Sequence, residues 1–305
     1  MILVLLFWKK TVEYGFQNQQ YRFIVLRKIL FSSFLLPIIL NASLYNMEDI
    51  KQDFHNEVVV KALKKVYKTD STLQEALKKR VGKFSLTEEY FQKAKKHLLK
   101  QKQHFSTTQF VTLIDLSKQV LIISIWDKEK QDFFPIGYDF ISSGDIEREI
   151  ETKKGEDHYV KTPSGLFPIK SGWRSYGKTN TNDKAKPYGK KGRFVFYFGK
   201  HMSVRYNTFD KYGTKIKDKK KWKLIKDKLS FAIHAHSTTT YLGQARSHGC
   251  VRMSDELNIF MDNNFVFFKH LLKNKKWIHP YEDAPKNPKN HELAGKYLLV
   301  INSAS

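Results

Sequence analysis

The hydrophobic period changes once along the chain, near His104, and that change limits what the chain can fold into. Before it, Met47, Ile50, Phe54, Val58, Ala62 and Val66 recur at three- and four-residue spacing, which lines one face of a helix. A second short helix is expected to begin at Asp70 or Ser71 and to stop at Gly82, and Ser85 with Glu88 makes a capping box for a third through Tyr90, Ala94 and Leu98. After His104 the apolar residues are mostly β-branched or aromatic and fall in short runs. Phe110 to Leu116 and Gln119 to Trp126, split by Ser117 and Lys118, read as a hairpin. Further strands are expected at Phe134 to Gly144, Gly165 to Ser171, Arg193 to Gly199, Leu229 to Ala235 and Tyr297 to Ser303. One helix is expected among them, from Ser254 as its cap through Phe268, with Asp255 and Glu256 in its first turn. The prediction is a mainly β domain preceded by a small helical module.

Upstream, residues 27–43 read as two cations (Arg27, Lys28), an apolar run from Ile29 to Leu40, then Asn41, Ala42 and Ser43. That is the order of regions in a secretory signal peptide, and the run is shorter than the ~20 residues a spanning helix needs. No export signal requires residues 1–25, so the expected start is near Leu26, read as Met from an alternative start codon. Lys plus Arg number 54 against 30 Asp plus Glu, a formal net charge of +24; removing residues 1–43 leaves +20, strongly basic outside the cytoplasm. Such a charge favours an anionic partner. The stretch from Lys184 to Lys228 carries net +13 with interleaved aromatics, a pattern that can bind nucleic acid. An exported protein seldom meets nucleic acid, so the preferred reading has strand aromatics facing a core and lysines facing solvent; a further reading has those lysines hold the protein near an anionic cell wall or membrane surface.

Cys250 is the only cysteine, which excludes an intramolecular disulfide and a multi-thiolate zinc site. Alone, a cysteine is more often buried and inert. Here it follows Ser247, His248 and Gly249, sixteen positions after His234 at the end of an apolar strand. A cysteine nucleophile needs a base or cation to form thiolate and backbone donors to hold an oxyanion, and this segment can supply them. A metal held by His234, His236 and Cys250 is disfavoured because nearby carboxylates are lacking and the spacing is unlike known zinc patterns. His158, His201 and His236 are read as surface or core histidines.

The run from Ile233 to Met253, IHAHSTTTYLGQARSHGCVRM, closely resembles the signature of the L,D-transpeptidase catalytic domain of YkuD type, in which a histidine at a strand end is followed by a glycine-containing loop and S-H-G-C-[IV]-R-[ML]. His234, Gly243, Ser247, His248, Gly249, Cys250, Val251, Arg252 and Met253 match in type and spacing. Upstream, Leu113 to Trp126 is similar to the family's opening hairpin, Ile141 to Gly144 to its strand-end serine and glycine, and Thr162 to Ile169 to its TPxGxFxI turn and strand.

The resemblance implies a YkuD-like β-sandwich outside the cytoplasm acting on peptidoglycan stem peptides, with no cofactor. It implies Cys250 as nucleophile, His234 as base with the carbonyl of Ala235 orienting its ring, and His248 shaping the thiolate's surroundings. It places the amides of Gly249 and Cys250 in an oxyanion hole, with Ser247, Arg252 and Tyr188 near the substrate. Boundaries are then expected at 1–43 for the leader, 44–106 for the helical module, 107–270 for the catalytic domain and 271–305 for a C-terminal extension with a final strand. Ala235 and His236 stand where Gly-Thr or Gly-Ser is frequent, Ser254 where Asn is, and the segment from Lys200 to Lys228 is read as a long connection able to act as a lid.

Overall fold

The computed structural model describes residues 45–65, 75, 88–147, 159–179, 185–273, 276–277, 284–285 and 287–304. The expected leader, most of the second short helix, the cap at Ser85 and His158 lie outside the described residues. Asn46–Ser305 form one compact unit. Among the described residues no helix is long and apolar enough to cross a membrane.

The first helix, α1 (Met47–Phe54), continues through a π-helical stretch at His55–Val60 into Lys61–Lys64. Asn46 caps it, accepting the Glu48 amide. Its apolar stripe of Ile50, Phe54 and Val58 is buried, as the three- and four-residue spacing requires. The helix α2 (Glu88–Leu99) follows, and its Phe91, Ala94 and Leu98 pack with Phe105 on a sheet face made by Val111, Leu113, Ile122, Trp126, Phe133, Leu299 and Ile301. Each of the largest of these side chains contributes about 2–3 kcal/mol by leaving water.

That sheet has five strands in the order β3-β2-β1-β11-β4: β1 (Gln109–Asp115), β2 (Val120–Asp127), β3 (Asp132–Phe140), β4 (Gly165–Pro168) and β11 (Tyr297–Ile301). The β1–β2 hairpin is antiparallel as its turn predicts, while β11 lies between β1 and β4 and runs parallel to β1, pairing Val111 with Tyr297. The final strand of the C-terminal segment is therefore interior to this sheet. Both faces of β1 and β2 are buried, which explains runs with no polar alternation.

The second sheet is β5 (Ser171–Arg174), β6 (Phe194–Asn207), β7 (Lys223–Ala235) and β8 (Val251–Met253), in that order. Sequence reading missed β5 and ended β6 eight residues early. The Lys200–Lys228 segment is not a loose connection: β6 and β7 pair from Lys200–Ser230 out to Asn207–Lys223, and Phe209 bridges Lys215 beyond them. On β7 the half-buried Ile225, Asp227 and Leu229 alternate with exposed Lys226, Lys228 and Ser230, a period-two pattern that the density of lysines concealed.

Helix α3 (Asp255–Asn263) starts on Ser254, whose hydroxyl accepts the Leu257 amide and donates to Asp139 at 2.7 Å. It ends five residues before the expected Phe268. Phe265, Val266, Phe267 and Phe268 are all buried, so they cannot share one helical stripe. The chain turns there with Phe265 at φ 55°, and the Asn264 side chain donates to the Phe260 carbonyl. Phe194 and Phe196 of β6 pack on Phe268, which brings the second sheet onto this turn. Two short strands, β9 (Leu272–Lys273) and β10 (Lys276–Trp277), form a separate antiparallel pair.

Candidate active site

The site forms where the segment after β3 leaves the first sheet and meets the second. Ser142 exchanges backbone hydrogen bonds with Arg252, both at 2.9 Å, and the Asp145 amide donates to the Ser247 carbonyl. The loop before Cys250 is thus pinned from one side. From the other, the Val160 amide donates to the His248 carbonyl at 3.0 Å, and the Tyr159 ring stacks on His248 at 4.4 Å.

Thr162 joins the two braces. Its hydroxyl accepts the Gly144 amide at 2.9 Å and donates to the Gly249 carbonyl at 2.7 Å, with the side chain buried. Gly249 adopts φ +141°, and a Cβ there would run into Val160, so only glycine fits. Thr162→Val keeps the shape and removes both hydrogen bonds, leaving a buried N–H and C=O without partners. The expected cost is about 2 kcal/mol, read as a lower urea midpoint with unchanged slope.

Strand register relates His234 to the turn that carries Cys250. β7 and β8 are parallel, with His234 opposite Arg252. Residues opposite each other share a face, and so do residues two apart, so Cys250, just before β8, projects from the same face as His234. Arg252 influences both groups, counting against the charged imidazole and favouring the thiolate. Its guanidinium also lies 3.4 Å from His248 Nδ1.

The His234 ring is buried, and its Nδ1 donates to the Ala235 carbonyl at 2.9 Å. A carbonyl only accepts, so Nδ1 carries the proton and Nε2 has the lone pair. Burial pushes the imidazole down to about 4, against the pull of the Ala235 and Pro187 carbonyls. Cys250 is half-buried; burial pushes its thiol up, opposed by a hydrogen bond from the Ala232 backbone and by the Arg252 charge. Both shifts favour the uncharged form, the neutral imidazole of His234 and the neutral thiol of Cys250.

The Gly249 amide differs from the expected oxyanion donor. It donates to Ser247 Oγ at 3.0 Å, while the Ser247 hydroxyl itself donates to the Cys250 carbonyl. Ser247 therefore holds the turn around the thiol, which is a reason for a serine there that the motif alone did not give. Sequence reading also missed Thr162 and Tyr159 as supports; the Thr162–Gly165 turn was visible, but not its reach of 87 residues to Gly249.

Tyr188 stands half-exposed with its ring edge-on to His234 at 4.9 Å. Its loop is tied to the end of β7 by the Lys186 amide donating to Ser237 Oγ at 2.7 Å. Beyond it opens a cleft of about 350 Å³ lined by Trp173, Ser175, Tyr176, Pro187 and Tyr188. Ala235 is fully buried, and His236 turns away to accept the Thr238 amide at 3.0 Å. Among the described residues no group of three His, Cys, Asp or Glu side chains is placed to hold a metal ion.

The model of the L,D-transpeptidase catalytic domain family (YkuD) matches residues 109–263, just over half of the chain. No curated protein matches. Among solved structures, the chain is similar to an L,D-transpeptidase (residues 123–326) from Xylanimonas cellulosilytica, at 16% identity and TM-score 0.31, covering 64% of this chain and 62% of that one. It is similar to an L,D-transpeptidase from Mycobacterium smegmatis at 10% identity and TM-score 0.27, covering 64% and 59%. The third is L,D-transpeptidase 3 from Mycobacterium tuberculosis, at 12% identity and TM-score 0.26, covering 64% and 61%. The match thus spans less than two thirds of each of these chains. The family model covers the strands and turns that bring His234 and Cys250 onto one face, and the chain belongs to the L,D-transpeptidase catalytic domain (YkuD) family.

Proposed function

We propose that the protein is a peptidoglycan L,D-transpeptidase of the cell envelope, exported by the leader at residues 1–43. The observation that carries the reading is the His234 ring, fixed by the Ala235 carbonyl with its basic nitrogen free of that bond, on the same face as Cys250.

In this mechanism Cys250 attacks the carbonyl of the third residue of a tetrapeptide stem while His234 takes the thiol proton. A carbon–sulfur bond forms, and the developing oxyanion is met by the Cys250 amide. Gly249 contributes an amide only if its bond to Ser247 is exchanged for one to the oxyanion. The carbon–nitrogen bond to the terminal D-amino acid then breaks, with the imidazolium returning its proton to the leaving amine. An amine of a second stem attacks the thioester, forming an amide and regenerating the thiol. Arg252, opposite His234 in register, and Tyr188, edge-on to its ring, are assigned to substrate contact, Arg252 to a carboxylate.

Water in place of the amine gives an L,D-carboxypeptidase by the same route. A wall-binding protein with an idle thiol is the reading from another class. Incubation with a purified tetrapeptide muropeptide, followed by mass spectrometry, separates the three. Loss of one D-amino acid with a cross-linked dimer is expected; loss without a dimer assigns the carboxypeptidase. An unchanged muropeptide overturns both enzymatic readings for this stem.

A further inference from the structure

The outer part of the β6–β7 hairpin extends beyond the site as an arm with two different faces. Strand register puts Lys200, Met202, Val204 and Tyr206 on the same side as Ser230, Lys228, Lys226 and Leu224. On this side Lys200, Lys226 and Lys228 are exposed, and so are Met202 (57%) and Leu224 (56%). The arm is tied to the chain at Lys161, whose carbonyl accepts the Ser203 hydroxyl and whose amide donates to the Val204 carbonyl, and its opposite side carries the Arg205–Asp227 pair at 2.6 Å. At the tip, Tyr212 is 79% exposed.

The three acidic residues of the arm are already engaged. Asp227 is paired with Arg205, Asp218 caps the turn at Lys219–Lys221, and Asp210 accepts the Tyr212 and Thr214 amides. Among the described residues Lys200, Lys226 and Lys228 make no ion pair. An uncompensated cationic face attracts any polyanion. The exposed aliphatic side chains narrow the choice, because Met202 and Leu224 gain nothing against a hydrated wall polymer but leave water at a lipid headgroup boundary. Nucleic acid is less suited: the Trp222 ring is taken up by Tyr206 and Lys219, and the exposed Tyr212 ring at the tip is covered by Lys211, so the arm offers no row of open rings for stacking.

We infer that the outer face of this arm is a docking surface for an anionic phospholipid bilayer. Along β7 the same face runs on from Lys228 to His234, six residues or about 20 Å away. Docking thus places the Cys250–His234 site close to the bilayer, where stem peptides near the membrane are within reach.

Cosedimentation of the full chain with phosphatidylcholine vesicles, with and without phosphatidylglycerol, tests this. The triple variant K200Q/K226Q/K228Q is expected to lose roughly 100-fold in affinity for the anionic vesicles, about fivefold per lysine. The variant M202S/L224S is expected to lose roughly tenfold. A control of equal charge change, K96Q/K100Q/K102Q, removes exposed lysines of α2 and the turn after it and is expected to bind nearly as the parent does. An equal loss in the control overturns the inference in favour of net charge. Unchanged vesicle binding by M202S/L224S overturns it too, and lysine-dependent binding to purified sacculi in that case assigns the arm to an anionic wall polymer.

Discussion

Cys250→Ala is expected to release no D-amino acid above background and to form no thioester with a tetrapeptide stem, because no other thiol exists in the chain. His234→Ala should keep the nucleophile and lose its base, lowering kcat/KM by about 10²- to 10⁴-fold. The pH profile separates general-base catalysis from a preformed ion pair. With the imidazole pushed down to about 4, His234 is neutral and competent above that pH. Activity should fall only as acid protonates the ring through about 4, and stay flat to the alkaline side, where the raised thiol still holds its proton. Alkylation of Cys250 by iodoacetamide followed across pH gives an independent readout. It should remain slow until above the ordinary thiol range; fast alkylation at neutral pH would show a resting thiolate and contradict this scheme.

Gly144→Ala is expected to have the second largest effect. A Cβ at this position would overlap the Val160 carbonyl and come within 2.8 Å of the Gly249 Cα. Both neighbours are backbone, and the Gly249 side is locked by Thr162, so neither can yield as a flexible side chain would. The expected loss is about 3 kcal/mol, seen as a lower urea midpoint. Any folded fraction should also be slow, since moving the Cys250 loop by about 1 Å costs on the order of 100-fold in rate. A near-normal midpoint with full activity would show that the crossing segment moves apart freely and does not position the thiol.

These two positions also show what local sequence can and cannot convey. The candidate site was legible because its parts are close in sequence: Ser247 to Arg252 is one turn and the start of one strand, and His234 ends the strand beside it. Helices α1 and α2 were legible because their periods are undiluted, and the β1–β2 hairpin because its β-branched runs are split by a short polar turn. The supports were hidden because they act across long separations, such as Thr162 on Gly249 or Ser142 on Arg252. The Gly249 amide was assigned outward because the motif names residues and not hydrogen-bond directions; the Ser247 hydroxyl, two residues away, takes that donor. The arm was misread as a connection because lysine is a poor strand former on most scales, and what decides there is pairing between β6 and β7.

The position of β11 has a consequence for how the chain reaches this structure. Val111 pairs with Tyr297, 186 residues later, so the first sheet stays divided until nearly all of the intervening chain has been made and brought back. Loop closure over such a span precedes any reward from pairing, which makes folding slow. Until β11 arrives, β1 and β4 each present an open edge able to pair with another chain.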